Sequence, residues 1–360
     1  MDGCDTFGES ETGLTVHRFI QRMPFHNQTE GTFVLRDVRF RSGDILPELR
    51  LHYLTLGTPR RDASGRIANA ILMLHGTTST SQNFLRPTVA NQLFGPGQAL
   101  DAERYFIIIP DDIGHGGSSK PSDGLGARFP RFGYHDAVTF QHRLVTEHFG
   151  VEHLRLVFGY SMGGMQAWLW GERFPTCMDA ILPLACQPSQ IAGRNLLFRR
   201  LITTSIRNDA GWQGGEYQQS PRAWAHAAPL FTIMSDSPVS LQAQAPTRAA
   251  AEQLFDEVVA NAAKGYDAND LLAWLEASAD YDPEPDLHTI KARVIAVNFA
   301  DDMINPPTLG LMEQLIKKVP HGRYVLIPES PGTKGHQTVF LAAVWKSYVH
   351  QLLDETAPRD

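Results

Sequence analysis

The chain is short of cysteine, of long apolar runs and of positive charge. Only Cys4, Cys177 and Cys186 occur in its 360 residues. They show no metal-type spacing, and an odd number cannot all pair. A disulfide framework is therefore not expected, and a reducing, cytoplasmic location is. Cys177 and Cys186 flank the apolar run DAILPLA and read as small core residues. No segment reaches the roughly 18 consecutive apolar residues of a membrane span. The opening MDGCDTFGESETG has no apolar core of a signal peptide. Net charge is −7, which leaves no basic face for nucleic acid or an anionic membrane. The pairs Arg60-Arg61 and Arg199-Arg200 read as solvated surface. No HExxH and no tight Cys/His cluster is present, so neither a metal nor a cofactor is expected.

What the chain does have is buried strands. FVLRDVRF (33–40) and LRLHYLTL (49–56) read as a hairpin joined by SGDILPE. AILMLH (70–75), YFIIIP (105–110), LRLVFG (154–159) and DAILPLA (179–185) are nearly continuous apolar runs, the mark of strands covered on both faces. RVIAVNF (293–299) and RYVLIPE (323–329) resume the pattern. Helical spacing lies between them, at 135–150, 162–175, 308–319 and 336–353. Strands alternating with helices predict a mostly parallel sheet. Residues 187–289 break the rhythm. They offer only helix-like pieces, NLLFRRLITTSIRN, TRAAAEQLFDEVVANAAKG and DANDLLAWLEASAD, and read as a cap over one sheet edge.

One turn stands out. Gly159-Tyr160-Ser161-Met162-Gly163 joins a buried strand to a helix. Such a turn presents a serine hydroxyl above the sheet and aims the Met162 N–H at an oxyanion forming beside it. A serine needs a base, and the base an orienting acid. In chain order the acid follows a later strand and the histidine one later still. After RVIAVNF comes Ala300-Asp301-Asp302-Met303-Ile304-Asn305-Pro306, and after RYVLIPE comes SPGTKGHQTVF with His336. Asp302 is chosen over Asp301 because it stands four residues before Pro306; one of the pair can serve as a helix cap. The second oxyanion donor is expected in Leu74-His75-Gly76-Thr77-Thr78-Ser79, with the Thr77 N–H as candidate. His75 and His115 are assigned loop-shaping roles. Trp168, Trp170 and Trp212 are read as packing.

GYSMGGMQAWLWGERFP, HDAVTFQHRLV, FADDMINPP and KGHQTVFL carry a resemblance. The chain resembles an α/β-hydrolase-fold protein and, within that fold, the homoserine O-acetyltransferase family. The resemblance implies an eight-stranded, mostly parallel sheet with a helical cap inserted after the sixth strand. The expected organisation is an irregular arm at 1–30, a core at 31–186 and 290–360, and a cap at 187–289. It implies a triad of Ser161, Asp302 and His336, with the N–H groups of Thr77 and Met162 as oxyanion hole.

Departures bear on the substrate. Where the family has a carboxylate-binding arginine early in the cap, the alignment places Thr203; Arg199, Arg200 and Arg207 lie nearby. Where the family follows its histidine with aspartate, this chain has Gln337. Its elbow reads Gly-Tyr-Ser where the family has Gly-Gly-Ser, and its oxyanion loop has the His-Gly of esterase-like members. The leading expectation is hydrolysis of a small-molecule ester or related acyl bond through an acyl-enzyme. The alternatives are an acyl-CoA-dependent O-acyltransferase not acting on homoserine, and a non-catalytic binding protein. A small-molecule acyl substrate is expected as partner, with no nucleic acid and no membrane, and with a homodimer left open.

Overall fold

In the computed structural model of the protein, residues 25–357 are described. Cys4 and most of the expected N-terminal arm lie outside them. Eight strands form one sheet: β1 (Thr29–Arg39), β2 (Ile45–Leu56), β3 (Ala70–Leu74), β4 (Phe106–Pro110), β5 (Leu156–Tyr160), β6 (Ala180–Leu184), β7 (Arg293–Phe299) and β8 (Gly322–Ile327). Their order across the sheet is β1-β2-β4-β3-β5-β6-β7-β8. β2 runs antiparallel to both β1 and β4, and every other pairing is parallel. The apolar runs explain the centre. All residues of β3, β4, β5 and β6 are buried, because helices cover both faces. The edge strands β1 and β8 mix buried and exposed positions instead.

One face packs on α2 (Tyr134–Arg143) and α3 (Met162–Arg173), with Trp168 and Trp170 fully buried there. The other packs on α1 (Pro87–Leu93) and α10 (Ala342–Glu355). Two expected helices are shorter than their spacing predicts. The 308–319 segment is a 3-10 turn, then α9 (Leu311–Leu315), because Gly310 adopts φ 63° between them. The 336–353 segment begins as a 3-10 turn, Gln337–Phe340, and bends at Leu341 before α10.

Between β6 and β7 lie α4 (Gly193–Asn208), α5 (Ala228–Ser235), α6 (Pro238–Gln244), α7 (Arg248–Gly265) and α8 (Ala268–Glu276). All but α6 share an apolar cluster that includes Phe198, Ile202, Trp224, Met234 and Trp274. Polar contacts tie them to loops at the carboxyl edge of the sheet. Ser122 donates to Asp270 through its N–H and hydroxyl, at 2.8 and 2.7 Å. Trp274 Nε1 donates to the Gly114 carbonyl at 2.5 Å. Among the described residues, no helix is long and apolar enough to cross a membrane.

Candidate active site

Ser161 sits between the end of β5 and the start of α3 with φ 52° and ψ −117°. That left-handed backbone is strained for a side-chain-bearing residue, and the two flanking glycines make it feasible. A Cβ on Gly163 would lie 2.1 Å from the Leu74 carbonyl oxygen, and one on Gly159 would lie 2.1 Å from the Gly163 carbonyl oxygen. Strand and helix can approach this closely only without side chains. The glycines of the motif are therefore steric requirements of the turn.

His336 reaches this turn from the loop after β8. Its Nε2 lies 2.9 Å from Ser161 Oγ, and its Nδ1 lies 2.8 Å from Asp302 Oδ2. The carboxylate fixes the tautomer: Nδ1–H donates to Asp302, and Nε2 is left to accept the serine proton. Asp302 also accepts from the Ile304 N–H at 2.7 Å, and from the Asn305 N–H and side-chain amide, both at 3.1 Å. Burial alone would raise its pKa. The charge attraction of His336 and the bonds from His336 and Asn305 outweigh it and hold the carboxyl below its ordinary value.

Asp301 is not a helix cap. It accepts the Gly335 N–H at 2.8 Å and so ties the histidine loop to the acid loop. Sequence reading missed Asn305 and this use of Asp301. The Asp-x-x-Asn spacing was the available signal for the first.

The loop after β3 holds Thr77. Among the described residues, neither the Thr77 N–H nor the Met162 N–H has a hydrogen-bond acceptor. His75 is spent on structure: it accepts the Asp112 N–H on Nε2 at 3.0 Å, and its Nδ1 meets the Gly76 carbonyl at 2.9 Å. His115 Nε2 meets the Thr77 carbonyl at 2.8 Å. Burial, helped by His75, pushes its pKa down to about 3, so it is neutral and unfit to carry a catalytic charge. Beneath lies a closed polar network that the sequence did not announce. Trp170 donates to Gln141, Gln141 to Gln166, and Gln166 to Asp112.

The cleft over Ser161 spans about 560 Å³ including its open mouth. Thr77, Tyr160, Asn195, Arg199, Phe231 and His336 are among its walls. The three arginines considered above diverge. Arg200 is exposed, and Arg207 pairs with Glu276. Arg199 is buried, against the expectation of a solvated pair, because α4 turns Phe198, Arg199, Ile202, Thr203 and Ile206 inward. Thr203 is buried but does not line the cleft. Cys186 is buried, and Cys177 packs half-buried against the core. Burial drives the Cys186 thiol's pKa far up, which leaves it inert as a nucleophile. Among the described residues, no group of three or more His, Cys, Asp or Glu side chains is arranged to hold a metal ion.

Residues 69–331 match the family model described as alpha/beta hydrolase fold. The chain belongs to the alpha/beta hydrolase fold family. A probable acyltransferase of Methanothermobacter thermautotrophicus is 29% identical over 289 residues, 79% of this chain and 87% of that protein. A homoserine O-acetyltransferase of Thermobifida fusca is 28% identical over 333 residues, 82% of this chain and 85% of that one. Among solved structures, the acetyl esterase MekB superposes with a TM-score of 0.79 at 25% identity, covering 91% of this chain and 97% of its own. Members of this alpha/beta hydrolase family that resemble the chain are thus both esterases and acyltransferases.

Proposed function

We propose that this hydrolase-fold protein is a serine-dependent acyl-transfer enzyme that hydrolyses an ester or related acyl bond of a small molecule. The observation that carries the reading is the chain Ser161 Oγ, His336 Nε2, Asp302 Oδ2, with links of 2.9 and 2.8 Å. Ser161 Oγ attacks the acyl carbon while His336 Nε2 takes its proton. The carbonyl oxygen becomes an oxyanion, which the unpaired N–H groups of Thr77 and Met162 receive. His336 returns the proton to the leaving alcohol, and an acyl-Ser161 ester remains. Water, deprotonated by the same Nε2, then releases the acid. Asp302 orients His336 and stabilises its transient charge.

The relatives named above support a second reading, transfer of the acyl group to an alcohol. Its chemistry is shared up to the acyl-enzyme. Hydrolysis is preferred because an amino-acid acceptor needs an anionic partner for its ammonium. Among the described residues lining the cleft there is no Asp or Glu, and Gln337 is neutral.

The test is intact mass after mixing with p-nitrophenyl acetate, beside Ser161→Ala. The expected result is an acetyl adduct on Ser161 that clears in water. Turnover in Ser161→Ala should fall by about three orders of magnitude or more with an unchanged melting curve. An adduct that persists until an alcohol is added supports transfer instead. An alanine variant with wild-type turnover overturns both readings.

A further inference from the structure

The end of β6, which lies between β5 and β7, holds both sides of the triad. The Leu184 carbonyl accepts the Ser161 N–H at 2.8 Å. The next carbonyl, of Ala185, accepts Asn305 Nδ2 at 2.9 Å, and the same nitrogen donates to Asp302 Oδ2 at 3.1 Å. The partners fix the orientation of the amide: a carbonyl and an ionised carboxylate only accept, so the nitrogen must face both. Ala185 adopts φ 53°, a left-handed backbone that is costly for a residue with a side chain. It is pinned there by its own N–H, which donates to the Val297 carbonyl at 2.8 Å. Asn298 brackets the following residue, meeting the Cys186 N–H at 3.1 Å and its carbonyl at 3.2 Å. Ala185 and Asn305 both line the cleft, and Asn305 is only 7% exposed. Asn305 is thus anchored on a backbone that is itself held on both sides.

The two oxygens of Asp302 are held unequally. Oδ1 accepts the N–H groups of Ile304 and Asn305. Oδ2, which meets His336 Nδ1, has the Asn305 amide as its one other donor among the described residues. We propose that Asn305 is a positioning residue of the triad: by tying Asp302 Oδ2 to the Ala185 carbonyl, it sets the aim of His336 at Ser161 and how readily the imidazole takes the serine proton. This rests on Ser161 being the nucleophile and His336 its base. Two effects act together. The tie keeps Oδ2 in one place, so the ring bonded to it stays aimed at Ser161 Oγ. The amide N–H also brings the positive end of its dipole to the acid, which offsets part of the negative charge that His336 meets. An apolar side chain in place of Asn305 removes both effects and leaves the backbone N–H bonds to Oδ1 intact.

Asn305→Leu should lower kcat for p-nitrophenyl acetate by roughly ten- to a hundredfold, with KM changed much less. The acid limb of kcat/KM reports the base of the free enzyme. It should move to higher pH by about half a unit, because the base loses a nearby positive dipole. The downfield proton signal of the His336–Asp302 hydrogen bond should shift as well. Asn298→Ala is the control. It loosens the same end of β6 without touching Asp302, so its melting temperature should fall while the limb and the proton signal stay in place. If Asn305→Leu fails to fold, the smaller Asn305→Ala carries the same readouts. A lower kcat with an unmoved limb and an unmoved proton signal overturns the proposal and leaves Asn305 a packing residue. Equal shifts in Asn298→Ala overturn it too, since the effect then belongs to the strand end as a whole. A wild-type protein that forms no acetyl adduct on Ser161, while the proton signal still moves in Asn305→Leu, overturns the reading of Ser161 and supports the tie between Asn305 and Asp302.

Discussion

At the scale of single residues, the site is built from prohibitions as much as from functional groups. Gly163 is the sharpest case. Its missing Cβ is what lets α3 start against the β3 carbonyl of Leu74, 2.1 Å from where that carbon would be. Gly163→Ala must push the helix off the strand or distort the elbow. Unfolding free energy is expected to drop by about 3 kcal/mol, measured by urea titration, and the surviving folded protein should acylate more slowly at Ser161. An alanine variant as stable and as fast as wild type would show that the turn relaxes freely. The meeting of Ser161, Asp302 and His336 was legible because each follows a strand that the apolar runs reveal. Arg199 was not. Two adjacent arginines look solvated in sequence, and only the phase of α4, set by Phe198, Ile202 and Ile206, turns one of them inward.

At the scale of elements, the helices after β6 contact the loops around Ser161, and one of those contacts bears on Thr77. Trp274, on α8, stacks on His115 with ring centroids 4.5 Å apart and donates to the Gly114 carbonyl. His115 in turn meets the Thr77 carbonyl. The placement of the Thr77 N–H thus depends on a helix distant in sequence. Trp274→Phe keeps much of the stacking and loses the hydrogen bond. On the proposed role of Thr77 as oxyanion donor, its kcat should fall roughly three- to tenfold, with KM changed much less. A rise in KM alone would assign Trp274 to substrate binding instead. This coupling left no trace in the sequence, nor did the Gln141–Gln166–Asp112 network, because such pairings carry no fixed spacing. The same holds for α1, α5 and α6. PTVANQL, APLFTIMS and PVSLQAQ are one or two turns long, too short for a periodic signal, and their positions come from packing.

At the scale of the whole molecule, stability should respond to pH through a carboxyl at the far end of α3 from Ser161. Glu172, near the end of α3, has a buried Oε1 with no hydrogen-bond partner among the described residues. Burial first, then the charges of Asp286 and Asp282, push its pKa up to about 9. The folded chain therefore keeps this proton across neutral pH, and the unfolded chain, with an ordinary value of 4.5, does not. The folded state binds more protons in that window, so stability falls as pH rises. The contribution is fully present below about 4.5 and is lost as pH passes through about 9. Glu172→Gln keeps the shape and removes the titration. The melting temperature of Glu172→Gln minus that of wild type should be near zero at pH 5 and clearly positive at pH 9, read by calorimetry across the range. Other groups titrate in both proteins and cancel in the difference. A difference that stays constant from pH 5 to pH 9 would mean that Glu172 is ionised in the folded chain. In that case α3, which carries the elbow at its other end, already tolerates the charge.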